Sequence, residues 1–459
     1  MNSEIIYNRK RKKYIIRFSI LLMIAFCSAF FPRVLTLLKF PSIVNLLHLG
    51  IVPAVCAFTL FTTRTTSKKQ IAISKNLLCG LGVLLAIMIA SALINGAGII
   101  NVLVDFLLLG EPFLLLLAII SIPMSAINVE KFRNLLIYSG LINTGFAFIQ
   151  RYIFNLQRLP GLEDNIKGVF IAQGAGHVIG ASVALTFGLY YFINVRTVPI
   201  AIRLLVLLAT FWHMVLADAK QVLLVILISG LLCLPTQFKS IGQLFKYIVA
   251  TSVVIIILIW CIQNLPAFRA FNTWIRPELY GPNGEATQLK LSVFHVIPFY
   301  YHSSLNWLFG LGPGHTVGRL GGWMLREYAN ILEPLGSTTH PASNAVWAVV
   351  AKSWLGNQSS MFSPLFGWAG IWGDLGLLGL ATYLYLLLIT WHYLCLDNYS
   401  KFLVLTVFVF GLILSQMEEP GYMLFIFSLI GVEWHRARIK REKRSLVKPS
   451  AFLPRLEVI

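Results

Sequence analysis

Charge is the first thing this chain lacks. Only 12% of its 459 residues are Asp, Glu, Lys or Arg, about half of the roughly 25% usual in soluble domains. That excludes a soluble enzyme, and equally a disordered or fibrous protein. Acid is scarcer still: 18 Asp+Glu stand against 37 Lys+Arg, a formal net charge of +19. Cysteine is sparse and unpatterned. Cys27, Cys56, Cys79, Cys233, Cys261 and Cys395 lie in or beside apolar runs, with neither CxxC spacing nor a Cys/His cluster. They read as small apolar residues, and a zinc module is excluded. Internal repeats and low-complexity tracts are also absent.

Apolar sequence is what remains. Hydrophobic residues make up 57% of the chain, and the mean hydropathy is +0.77. Runs bounded by charge or by Pro/Gly fall at 16–37, 43–61, 76–95, 99–123, 132–154, 175–194, 199–217, 220–235, 245–263, 365–390, 399–416 and 420–435. At ~20 residues per crossing, this predicts an all-α integral membrane protein with about 12 transmembrane helices. The first run follows Arg9-Lys10-Arg11-Lys12-Lys13 without a small-x-small cleavage site, so it reads as a retained signal anchor. An even number of spans puts both tails on one side, where roughly two thirds of the Lys and Arg fall. Both termini are therefore expected in the cytoplasm, with the chain multi-pass in the plasma (inner) membrane. The basic tails read as topology signals facing anionic membrane lipids, so no nucleic acid is implied.

The expected organisation is spans 1–9 over residues 1–263, an extracytoplasmic loop over 264–364, spans 10–12 over 365–435, and a basic cytoplasmic tail over 436–459. The long loop lies between spans 9 and 10. It carries Trp274, Trp307, Trp323, Trp347 and Trp354, too aromatic for disorder, and predicts short helices packed over the membrane mouth.

Polar groups concentrate on that outer side. Arg158 lies in the shorter loop 155–174, Lys220 in the turn Ala217-Asp218-Ala219-Lys220, and Arg276 and Arg319 in the long loop. Guanidiniums grip phosphate oxygens through a fixed fork of donors, as a lipid diphosphate at the membrane surface requires. His340, in Ser-Thr-Thr-His-Pro-Ala-Ser-Asn, has the chemistry to take a proton from a sugar hydroxyl. Gly310-Leu311-Gly312-Pro313-Gly314 is a tight turn that lets backbone approach a partner, but it lacks the Walker lysine of a phosphate loop. Asp105 and Glu111 fall inside the fourth run, where carboxylates are costly and candidates for function. Glu111 either couples protons or pairs with a neighbouring helix. Asp374, Glu418 and Glu419 read as ordinary acids at outer span ends.

The arrangement of spans, cytoplasmic tails and outer loop resembles the O-antigen ligase and O-antigen polymerase family of membrane glycosyltransferases. Local motifs are similar in order and placement. They are the glycine turn 310–314, His340 with Asn344, Gly373-Asp374-Leu375-Gly376-Leu377-Leu378-Gly379-Leu380 at the start of the next span, and Arg158-Leu159-Pro160-Gly161 with Gly168-Val169-Phe170 before the sixth. The likeness covers roughly residues 130–390. It departs at Ala219-Lys220, where the family has Ser-Arg and lysine loses the bidentate fork, and in a longer stretch between His340 and Gly376. The resemblance implies metal-independent transfer from a polyprenyl-diphosphate-linked glycan to a glycan or lipid-glycan acceptor, without cofactor. Arg158, Lys220, Arg276 and Arg319 would hold the diphosphate, and His340, or failing it His315, would be the base. The competing expectation is a transporter of lipid-linked glycan or another anion, with Glu111 and Asp105 as coupling groups.

Overall fold

The computed structural model describes residues 18–447 apart from 64–66, 161, 172–174, 237–248 and scattered positions in 250–275. About half of the expected span at 245–263 therefore lies outside the described residues, and the first basic stretch and the end of the tail lie outside them altogether. Among the described residues the chain is helical, with no strand. Helix α1 (Phe18–Phe30) is followed by α2 (Leu47–Thr62), α3 (Lys68–Asn95), α4 (Ile99–Ser121), α5 (Ala126–Phe148), α6 (Gly176–Asn194), α7 (Ile200–Leu216) and α8 (Lys220–Cys233). After the long connection come α11 (Gly367–Ile389), α12 (Asn398–Ile413) and α13 (Pro420–Val447). Within that connection, α9 (Glu285–Val296) and α10 (Pro341–Lys352) are the longer of several short helices.

Five helices are long and apolar enough to cross a membrane, or six if α1 and the 3-10 turn Pro32–Leu38, bent by 54°, form one span. The run at 16–37 breaks at Pro32, which cannot donate to the preceding turn. Shorter apolar helices include α7 and α12. Residues 420–435 of α13 are buried on every side and pack against α4, itself buried along most of its length. These two form the most enclosed part of the bundle, largely apolar but carrying buried Asn101, Asp105 and Glu111 on α4. Around them α2 and α3 pack on α4, α5 and α6 on α13, and α7 on α6. Cys79 departs from its expected burial and is exposed on α3.

Helix α11 is interrupted at Gly376 (φ 65°, ψ −160°), and the break positions everything that follows. The carbonyls it releases are taken by the long connection: Leu311 N–H donates to Gly373 O (2.8 Å) and Gly312 N–H to Asp374 O (3.0 Å). Ser91 of α3 donates its hydroxyl to Asp374 O (2.9 Å). Irregular backbone is tolerated at membrane depth only when protein satisfies it in this way. The approach is close enough that a Cβ at Gly310 would overlap the Asp374 backbone, and one at Gly376 the Leu308 backbone. Both glycines also have positive φ. A second anchor is Lys290 of α9, whose ammonium donates to Met361 O (3.1 Å), Ser363 O (2.9 Å) and Ile413 O (2.8 Å) over the Phe366 ring. It ties the connection to the end of α12.

Gly310→Ala should lower the thermal unfolding midpoint of the detergent-purified protein. The left-handed residue alone costs about 1–3 kcal/mol, before any clash. Gly82→Ala, where a Cβ meets nothing within 4 Å, should leave it unchanged or slightly raised. Equal midpoints for the two would contradict the docking described.

Candidate functional site

The connection meets the bundle through one carboxylate. Asp374, the second residue before the break, is 2% exposed and accepts from Gly314 N–H (2.9 Å), Thr316 N–H (2.7 Å) and Thr316 Oγ1 (2.6 Å). The glycine turn thus cradles an anion, but the anion is a side chain of the chain itself. Asp374 is no ordinary span-end acid; it is the peg on which residues 310–318 hang.

Next to that peg lies a buried cluster of charge. Glu419, in the turn between α12 and α13, bridges two arginines. Arg33 of the turn after α1 lies at 3.3 Å, and Arg319 of the long connection forms the second ion pair. Glu418 accepts the Arg319 backbone N–H, and Asp105 of α4 faces Asp374 and Glu418. Exposure is 2% for Arg33, 4% for Arg319, 2% for Glu418, 5% for Glu419 and 2% for Asp105. Aromatic faces cover both guanidiniums, Phe170 over Arg33 (5.4 Å) and Trp323 over Arg319 (5.0 Å). Hydrogen bonding is incomplete: Arg33 Nη1, Arg319 Nε, Asp105 Oδ2 and Glu418 Oε1 are buried without a partner. Burial pushes the Glu418 carboxyl up to about 8, against the pull of the Arg319 amide.

A histidine pair stands on the same loop. His315 lies between the two residues that hold Asp374. Its Nδ1 faces Leu311 O (2.8 Å) and so carries the proton, which leaves Nε2 to accept from the Thr338 hydroxyl (2.9 Å). Thr338 is fixed in turn by α4, its N–H donating to Asn101 Oδ1 and its carbonyl accepting from Asn101 Nδ2, both at 2.9 Å. His340 is the N-cap of α10, its Nδ1 accepting from Ala342 N–H (3.2 Å). The two imidazoles stack at 5.2 Å and 24°, and Tyr300 meets His340 edge-on at 5.4 Å. Burial, with His315 and His302 nearby, pushes His340 down to about 4, and burial also lowers His315. Both rings are neutral at pH 7.

The remaining expected residues are dispersed. Arg158 is exposed in the 3-10 turn Leu156–Arg158, and Arg276 is exposed just before the turn Pro277–Leu279. Lys220 is buried in the first turn of α8 and paired with Asp218. Glu111 is buried in α4 with both oxygens on His48 Nδ1 (2.9 and 2.7 Å), so it pairs with the neighbouring α2. The structure therefore brings Arg319 and Asp105 into one cluster, with His315 and His340 on the same connecting segment. Sequence reading missed Arg33, and it missed the central burial of Glu418 and Glu419. The available signals were a cation at the end of an apolar run and two adjacent acids before Pro420. Among the described residues, no group of three or more His, Cys, Asp or Glu side chains could hold a metal ion. No protein-family model matches the chain, and no curated protein matches it.

Glu419→Gln should cost about 3–5 kcal/mol, because two buried guanidiniums lose their shared counter-charge. Adding Arg33→Gln should cost less than the sum of the two single changes, read as unfolding midpoints in detergent. Strict additivity would mean that Glu419 and Arg33 are not coupled.

Proposed function

We propose that the chain is a membrane glycosyltransferase of the O-antigen polymerase and ligase type. In this reading it crosses the plasma membrane about twelve times, with both termini in the cytoplasm and residues 264–364 outside. It transfers glycan, without metal, from a polyprenyl-diphosphate-linked donor to a glycan acceptor during surface polysaccharide assembly, and the polymerase form is preferred. The observation that carries the reading is the stacked, neutral His315–His340 pair, on the same connecting segment as Arg319 of the buried arginine cluster. Transfer needs a neutral base for the acceptor hydroxyl and cations for the diphosphate that leaves.

The chemistry follows from the two rings. The acceptor oxygen gives its proton to an imidazole nitrogen and bonds to the anomeric carbon, while the bond from that carbon to the diphosphate oxygen breaks. Polyprenyl diphosphate departs with the electron pair; of the cations expected to meet its charge, Arg319 lies on the same segment as the two rings, while Arg158, Lys220 and Arg276 are dispersed. His340 is the half-buried member and the proposed base. Its Nδ1 accepts the Ala342 N–H, so its proton sits on Nε2. To receive a proton at Nε2 it must first move its own to Nδ1, which releases that cap. His315 already has the required tautomer, with Nε2 on a hydroxyl, and is the alternative.

A transporter is the second reading. The His48–Glu111 pair and the unpartnered Asp105 Oδ2 favour it, because both lie inside helices of the bundle.

Purified protein in lipid nanodiscs, supplied with a polyprenyl-diphosphate oligosaccharide, should release polyprenyl diphosphate and build a ladder of longer glycans. His340→Ala should reduce this by about 10²–10⁴-fold, while Glu111→Gln should spare it. Because His340 is neutral above about 4, the acid side of the rate profile should fall near that value and not near the ordinary ~6.5. Glycan crossing a sealed bilayer without turnover, and abolished by Glu111→Gln, would replace this reading with the transporter.

A further inference from the structure

The opposite end of the bundle, where the chain's C-terminal helix emerges, holds a cleft of about 1340 Å³ between α5, the α6–α7 turn and the last turns of α13. Its floor is a fixed network. Arg133 Nε donates to the Tyr190 hydroxyl (2.9 Å), which donates to Glu433 Oε1 (2.6 Å). Arg133 also donates to Glu130 (2.8 Å), and Arg436 donates to both oxygens of Glu433 (2.7 and 3.0 Å). The third acid of the lining, Asp397, is used as the N-cap of α12, accepting from Ser400 N–H and Oγ at 2.9 and 2.8 Å. Each acid facing the cleft is thus committed.

Three further cations line the same space: Arg196, Lys440 and Lys443. Among the described residues none has a carboxylate partner, and Arg196 makes one long hydrogen bond, to Ile193 O (3.4 Å). Helix α5 begins at the cleft wall, at Ala126, and α6 ends there, at Asn194. The cleft is consequently a concave cationic surface with its own acids already neutralised. It sits where the bundle turns apolar: Ile127 and Ile200, at the starts of α5 and α7, are 70% and 64% exposed.

We propose that this cleft binds a phosphate-bearing anion, held by Arg196, Lys440 and Lys443, and that its source is the headgroup of an anionic phospholipid. A basic pocket between helix ends at the membrane boundary suits such a headgroup, which arrives laterally with its acyl chains against the exposed isoleucines. The inference is independent of glycosyl transfer and needs only a membrane-embedded bundle.

The test uses the full chain in detergent micelles, with bound lipid counted by native mass spectrometry after adding phosphatidylglycerol or phosphatidylcholine. Wild type should retain phosphatidylglycerol by roughly tenfold or more over phosphatidylcholine, since each basic group near a headgroup contributes. The triple variant R196Q/K440Q/K443Q should lose that preference. The control K68Q/K69Q/K75Q, which removes equal charge from exposed positions of α3, should keep it. If inorganic pyrophosphate displaces the lipid from wild type and also raises the unfolding midpoint of lipid-free protein, the phosphate site stands with a water-soluble source. No preference in wild type, an unchanged preference in the triple variant, or an equal loss in the control would overturn the proposal. Unliganded unfolding midpoints confirm that each variant is folded.

Discussion

The carboxylate of Asp374 is the constraint on which the rest of the site depends. It sits at the break of α11 and gathers the amides of residues 314–316 around itself, while the carbonyls freed by the break hold residues 311 and 312. Hydrogen bonds to a charged group contribute about 1.5–3 kcal/mol each, so the segment is fixed at both its backbone and its anion. Two consequences follow along the chain. His315 is held in a defined tautomer, because Leu311 O cannot move. Four residues on, Arg319 is delivered to Glu419, which then fixes Arg33 from the first helix. A strained, glycine-dependent dock thus becomes a meeting point for five separate parts of the chain.

What gathers there is expensive. Two guanidiniums and four carboxyl groups lie buried within one region, and several of their polar atoms lack partners. Taking such groups out of water costs more than their mutual attraction returns unless the geometry is near ideal, and here it is incomplete. Stability alone does not account for that investment. Intramembrane ionisable groups are kept where charge must be met, whether on a leaving diphosphate or on a moving ion. Under the proposed function, the neutral histidine pair would supply the proton acceptor that an attacking hydroxyl requires.

Local pattern made the helices legible. The run at 99–123 became Ile99–Ser121 and that at 175–194 became Gly176–Asn194, because a long, mostly apolar run has few alternatives to a helix in a bilayer. Pattern also marked residues 310–319 and 340 as a place of interest. It did not show what they touch. Arg33 and Glu419 lie 386 positions apart, and nothing in the neighbourhood of either announces the other. Phe31-Pro32-Arg33 reads as the last turn of an apolar run until Pro32 bends it inward. Helix α13 was expected to stop near 435 and runs on to Val447, where charge at helical spacing, such as Arg438 with Glu442 at 3.0 Å, supports a solvated extension.

Hydrogen exchange on purified protein in nanodiscs, comparing wild type with Asp374→Asn, tests the dock directly. In wild type, the amides of Gly314 and Thr316 should exchange as slowly as those of the buried helices α4 and α13. The variant keeps its shape but loses the anion, so exchange should accelerate over residues 311–319 and at the Arg33 turn, while α4 and α13 stay protected. Unchanged exchange at 311–319 in the variant would contradict the account, because some other contact would then be holding the site together.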